Sequence, residues 1–185
     1  MLNNEVTRAI AARRSVRKYA PRQLTAEELD TILTCGFLAP NGMNTQQWFV
    51  SVVQDPALLA ELSEKLSAMM KANPGLPPAM KAKYDKPDFS ATFGAPTLLM
   101  VASGNPRGVT DACLLGENMV LAAQSLGLGT CVIGSVCMIF DAPENAALKA
   151  RLRLPEGYSL VFGISVGVPA EEPAAQPREP KYVIV

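Results

Sequence analysis

Residues 112–130 read ACLLGENMVLAAQSLGLGT, and this stretch decides the fold. Apolar side chains occupy almost every face of it, whereas a helix at a protein surface keeps a polar side. The pattern therefore predicts a buried central helix stopping at Gly127. Thr110 and Asp111 stand just before its start. Such a helix needs cover all round, which a sheet supplies on one side and a second subunit on the other. Upstream, APTLLMVASG at residues 95–104 is a continuous apolar run of strand length, as expected of a strand buried on both faces. Downstream, TCVIGSV predicts a turn or short strand. A helix from about Pro143 to Leu152, capped by Asp141, follows, and YSLVFGISVGVP predicts a further strand.

Toward the N-terminus the signals are local. Val6, Ala9 and Ile10 share a helical face, with Asn3 or Asn4 available as N-cap. Thr25 with Glu28 three residues on forms a capping box, followed by Leu29, Ile32 and Leu33 and a stop at Gly36. WFVSVVQ predicts a strand with Trp48 as a core anchor. Asp55-Pro56 then opens a third helix with Leu59, Leu62 and Leu66 on one side. Prolines 74, 77, 78 and 87 break any periodicity over residues 71–92, which fits either a lid or a plain surface loop with one short helix. Beyond β-type residues, Pro169, Pro173, Pro177 and Pro180 rule out a helix, yet the chain ends in YVIV. An extended arm over residues 169–185 that pairs with a sheet edge is one reading, and a frayed terminus the other.

Composition narrows the chemistry. A chain of 185 residues suits a single domain over residues 1–185, and 49% apolar against 18% charged residues points to a packed fold with a buried subunit interface. Lys plus Arg and Asp plus Glu both number 17, so net charge gives no sign of nucleic acid or an anionic membrane. Without an apolar leader or a spanning run, the expectation is a cytoplasmic protein. Histidine is absent, and Cys35, Cys113, Cys131 and Cys137 lack metal spacing, which removes Ser-His-Asp, Cys-His and zinc chemistries. The thiols read as small buried apolar groups, and no metal is expected. No internal repeat or G-x-G-x-x-G occurs, so a Rossmann site has no support.

Two segments carry polar groups in search of partners. RRSVRKY, residues 13–19, places Arg13, Arg14, Ser15, Arg17 and Lys18 at the end of the first helix. Basic side chains there complement the helix dipole and cap free carbonyls; equally, forked guanidiniums and a hydroxyl make an anion pocket. In APNGMNTQQWFVSVV, residues 39–53, Asn41, Asn44 and Gln46 precede a strand closely enough for their amides to converge on one polar heterocycle. Gly42 allows close backbone approach.

The two motifs together, with NMVLAAQSLGLGTCVIGS and LPEGYSLVFGISVGVPAEEPAAQPR in the same order, resemble the nitroreductase family of flavoproteins across nearly the whole chain. The resemblance implies an α+β fold, an α/β/α sandwich with a central mostly antiparallel sheet flanked by helices and a C-terminal arm exchanged in a homodimer. It implies FMN held between subunits. Arg13, Ser15 and Arg17, with Arg14 beside them, match positions at the FMN phosphate and pyrimidine edge. Pro40, Asn41, Gly42, Met43 and Asn44, with Gln46 nearby, match a segment reaching the flavin from the other subunit. Ile133, Gly134 and Ser135 match backbone beside the N5 and O4 edge, and Arg178 a tail arginine at the phosphate. Asn41 stands where the family often has serine, Gln47 where it has proline and Gln176 where it frequently has lysine. The loop shape and one phosphate contact depart from the common pattern accordingly.

The implied activity is hydride transfer from NADH or NADPH through flavin N5 to an electron-poor acceptor such as a nitroaromatic or quinone. No protein acid or base is required, and Arg17 would act as the electrostatic stabiliser of reduced flavin. Tyr84 and Phe89, in the lid segment, are the candidate substrate contacts. Dehalogenation or dehydrogenation of a dedicated substrate, and a non-catalytic flavin-binding or storage dimer, are the competing readings.

Overall fold

The computed structural model describes residues 2–105 and 108–185. Its scaffold is a four-stranded sheet of β1 (Trp48–Val53), β2 (Thr97–Ser103), β3 (Gly129–Ile133) and β4 (Ser159–Gly167). The spatial order is β1-β2-β4-β3, and all three ladders are antiparallel. β2 lies inside the sheet and is buried at every position. Leu99 and Val101 point into one core and Leu98 and Met100 into the other, which is why its sequence is apolar throughout rather than alternating.

Helices cover both faces, giving an α+β fold in three layers. On the first face, α2 (Ala26–Phe37) packs against α5 (Val109–Ser125), whose Ala112, Leu115, Met119 and Ala123 sit over Leu99, Val101, Phe162 and Ile164. On the second, α3 (Pro56–Ala72) and 3₁₀ turns over Ser135–Asp141 enclose Leu62, Leu66, Leu98, Met100, Val136 and Ile139. α1 (Glu5–Ala12) lies at the margin and buries none of its residues, although Val6 and Ile10 form an apolar stripe. The thiols are not uniformly buried as expected: Cys131 is, Cys35 and Cys137 are half-buried, and Cys113 on α5 is exposed. Among the described residues no helix is long and apolar enough to cross a membrane.

The caps form where the sequence places them. Asn4 and Thr25 each make a reciprocal capping box, and the Asp55 carboxylate accepts from the Ala57 N–H ahead of Pro56. Gly36 is not the stop of α2, which runs on to Phe37. A Cβ there would lie 2.5 Å from Met119 Cε, so the glycine serves close α2–α5 packing. Gly127 does close α5, in a left-handed conformation with φ +74°. The helix expected from Pro143 to Leu152 also differs. Only Ala146–Ala150 (α6) is α-helical, preceded by a 3₁₀ turn at Pro143–Asn145, and Asp141 caps nothing. The excursion at residues 71–92 carries a four-residue helix, α4 (Pro78–Lys81), and is tied to α3 by Ser67 Oγ donating to Tyr84 O at 2.8 Å and by a Lys71–Asp85 pair at 3.2 Å.

The second capping box carries a pH dependence. A two-pronged hydrogen bond from Arg22, at 2.8 and 3.0 Å, and then the Thr25 N–H hold the Glu28 carboxyl at about 2, down from an ordinary value of 4.5. Because the folded-state value is the lower one, this stabilisation is complete above pH 4.5 and is lost as the pH falls through about 2. Urea midpoints taken stepwise across that window are expected to fall more steeply for the native chain than for Glu28→Gln. Parallel curves would refute the assignment.

Candidate functional site

α1 stops at Ala12 because Arg13 turns extended, its N–H donating to Ala9 O. From there the basic stretch runs along the outside of β3. Val16 N–H donates to Thr130 O at 2.9 Å and Ser15 pairs with Thr130 in a parallel bridge. Gly129 faces Val16 so closely that a Cβ would sit 2.8 Å from it. Further on, Ala20 N–H donates to Val168 O and Ala170 N–H to Lys18 O, both at 2.9 Å, while the Glu171 carboxylate accepts from the Arg17 N–H. Residues 17–20 and 168–171 thus fix where the C-terminal arm leaves the body.

The arm folds back to form a cleft of about 560 Å³ lined by Arg13, Arg14, Ser15, Arg17, Gln176 and Arg178. The two readings of the basic motif divide among its members. Arg14 Nη1 donates to Ala11 O at 2.7 Å and to Arg13 O at 2.8 Å, capping carbonyls at the end of α1. Arg17 instead spans the strand, with Nη1 3.3 Å from Ser15 O and its guanidinium 5.7 Å from the centre of the Phe93 ring. Arg22 and Arg151 are paired with carboxylates elsewhere; among the described residues, none of Arg13, Arg14, Arg17 and Arg178 has a carboxylate within ion-pair distance. Four arginines around one cleft, none of them ion-paired and only Arg14 turned to carbonyls at a helix end, make a receptor for a multiply charged anion, with the Glu171 carboxylate held on the Arg17 backbone.

The groups beside the cleft are not poised to move protons. Burial pushes the Tyr19 phenol well above its usual range, and its hydroxyl donates to Val16 O at 2.7 Å. Burial likewise raises the Cys131 thiol, outweighing the pull of nearby Arg17 and Arg13 and of a hydrogen bond with Ser15. Both remain neutral near pH 7. The cleft therefore offers charge and hydrogen-bond donors rather than an acid, a base or a thiolate.

The amide loop lies elsewhere. Pro40 and residues 42–47 are exposed, and three of the non-glycine residues around the turn, Met43, Asn44 and Gln46, have φ of 54°, 54° and 50°, with right-handed Thr45 between the last two. The loop is held by Gln46 N–H donating to Asn41 Oδ1 at 2.9 Å and by Gly42 N–H donating toward Asp111 Oδ2 at 3.4 Å, at the start of α5. Among the described residues nothing crowds Gly42, where a Cβ would meet Asp111 Oδ2 at 3.9 Å. Left-handed backbone at bulky residues is costly, and clusters of it mark sites where surroundings impose a shape.

These two half-sites do not meet in one chain. The loop enters β1 at Trp48, opposite Ser103, whereas the basic stretch flanks Gly129 and Thr130, beyond the end of β4 that faces Thr97. They occupy opposite edges of the sheet, at least three strand spacings or about 14 Å apart, and opposite ends as well. Ile133, Gly134 and Ser135 stand at the end of β3, with Ile133 buried and Gly134 exposed. Tyr84 and Phe89 pack edge to face at 5.1 Å and line a different cleft, of about 730 Å³, against α3. The arm does not pair with a sheet edge of its own chain; residues 173–185 carry no strand. Phe93 and Glu171, which touch Arg17, escape a reading by motif because both contacts are long-range and neither residue repeats a spacing.

Comparison with known proteins gives the family and the fold. A family model described as the nitroreductase family matches residues 10–168. The chain belongs to that family. A nitroreductase of Bacteroides fragilis solved with bound FMN superposes with a TM-score of 0.86 at 31% identity, covering 99% of this chain and 100% of that one. An FMN reductase [NAD(P)H] of Bacillus subtilis is 31% identical over 98% of this chain and 72% of its own length. An NADPH-flavin oxidoreductase of Vibrio harveyi is 28% identical over 98% of this chain and 73% of its own. The nitroreductase-family assignment accounts for the three-layer fold with its all-antiparallel sheet.

Proposed function

We propose that this nitroreductase-family chain is an FMN-dependent oxidoreductase that takes reducing equivalents from NADH or NADPH and works as a homodimer. The observation that carries the proposal is the cleft of Arg13, Arg14, Arg17 and Arg178, whose guanidiniums form no ion pair among the described residues. A phosphate monoester dianion is the kind of group such a cleft fits, and FMN ends in one. Arg13, Ser15 and Arg178 would hold the phosphate, and Arg17 the pyrimidine edge. Backbone at Ile133, Gly134 and Ser135 would flank the other edge of the ring. FMN, when bound, supplies hydride acceptance from a nicotinamide and hydride delivery to an acceptor.

Half of the site must come from a second copy, because Pro40, Asn41, Gly42, Met43, Asn44 and Gln46 lie at the far corner of the same sheet. Surface left bare by one chain supports this. Val6 and Ile10 on α1, Phe37 and Leu38 at the end of α2, Leu114 on α5 and the terminal Tyr182, Val183 and Ile184 are all exposed, more apolar area than a lone chain of this size leaves open without purpose. The YVIV end of the arm would seek an unpaired strand on the partner, and β1 is an edge. Nitroaromatics and quinones suit the site as acceptors, since they need to stack rather than meet an acid or base. Residues 71–92, with Tyr84 and Phe89, are the segment proposed to screen the acceptor.

Purified protein is expected to be yellow, or to gain a bound-flavin spectrum on adding FMN, and anaerobic titration with NADH or NADPH is expected to bleach it. A chain that stays colourless with excess FMN sinks the proposal. A flavin that binds but is bleached by neither nicotinamide leaves a storage protein.

A further inference from the structure

We infer that Phe93 is a positioning residue for Arg17: a ring set on strained backbone to hold one guanidinium in place for the flavin. The inference rests on the FMN reading above. Phe93 has φ +58°, a conformation in which a bulky side chain is a true outlier, and it is followed by Gly94 at φ +76°. The turn that imposes this is over-determined. Ser90 Oγ accepts from Thr92 N–H at 3.2 Å and Gly94 N–H at 2.9 Å, Phe93 N–H donates to Ser90 O, and the carbonyl of buried Thr92 accepts from Ala95 N–H and from Ser165 Oγ at 2.9 Å.

Asparagine or glycine would fit such a backbone without strain, so the position is occupied by a ring for a reason other than the turn. Part of the ring's surroundings is ordinary core, since Phe93 is half-buried and packs against the second-layer cluster. Its other neighbour is the Arg17 guanidinium, 5.7 Å from the ring centre. Arg17 is an exposed side chain with many rotamers, and its Nη1–H donates only to Ser15 O. Stacking on Phe93 selects one arrangement before any ligand arrives, so less ordering remains to be done when the flavin binds.

The test is FMN titration by fluorescence quenching with Phe93→Leu, Phe93→Tyr and Phe93→Asn, each in the native and the Arg17→Ala background, together with the midpoint potential of the bound flavin. Phe93→Asn suits the left-handed backbone and keeps the turn foldable if leucine does not. Leucine and asparagine are expected to weaken FMN binding about 2- to 5-fold, the size of an exposed cation–π contact, and to move the potential negative; tyrosine is expected to preserve both. In the Arg17→Ala background none of the three is expected to change affinity further. An equal loss in both backgrounds, or no loss in either, overturns the inference while leaving the FMN reading intact. If Arg17→Ala alone binds FMN normally, the assignment of Arg17 fails and this inference fails with it.

Discussion

Arg17→Ala is expected to weaken FMN binding about 10- to 100-fold, the loss of one charge-assisted hydrogen bond worth roughly 1.5–3 kcal/mol. Turnover at limiting FMN should fall in proportion. Among the described residues the guanidinium makes one hydrogen bond, to the Ser15 carbonyl, one ring contact, to Phe93, and no ion pair, so its removal leaves no buried carboxylate unpaired and the fold should hold. Arg17→Lys is expected to recover part of the affinity, because an ammonium keeps the charge but not the planar fork. Equilibrium dialysis against FMN, with a thermal melt to confirm folding, decides it. Full flavin retention in Arg17→Ala would show that the residue has been given the wrong role.

Leu115→Ala is expected to cost about 2–5 kcal/mol, a large share of the roughly 5–15 kcal/mol by which a domain is stable. Leu115 is fully buried between α5 and the sheet, in the same core cluster as Val101 and Phe162, where truncation leaves a cavity. Gly116, next along the helix, already brings the backbone against the Phe162 ring: a Cβ there would lie 2.6 Å from Cζ. A shift in the urea midpoint corresponding to less than about 1 kcal/mol would mean that α5 is not the centre of this core.

What could be read from the sequence was local or strongly periodic. The Thr25–Glu28 and Asp55-Pro56 starts need only neighbours along the chain, and both form as the residues dictate. The run at residues 97–103 announces burial on both faces through composition alone. Gly36 misled because a glycine near a helix end has two uses, as a stop or as a contact, and only the position of Met119 selects between them. Asp141 failed as a cap because the turns after β3 wind as 3₁₀ segments, whose geometry is close enough to a helix to share its sequence pattern. The family was legible from four ordered segments. The arginine cleft was half legible: RRSVRKY names its members, but the division of labour between Arg14, which caps, and Arg17, which stacks, depends on an aromatic ring 76 positions further on.

The diagonal separation of the arginine stretch and the amide loop has a genetic meaning. If each site draws one half from each chain, a lesion in the loop and a lesion at Arg17 damage every site of their own pure dimers. A hybrid dimer of the two defective chains sorts both lesions into a single site and leaves the other wholly native. Two alleles, each inactive alone, would therefore restore one another when expressed together, to as much as one good site per hybrid.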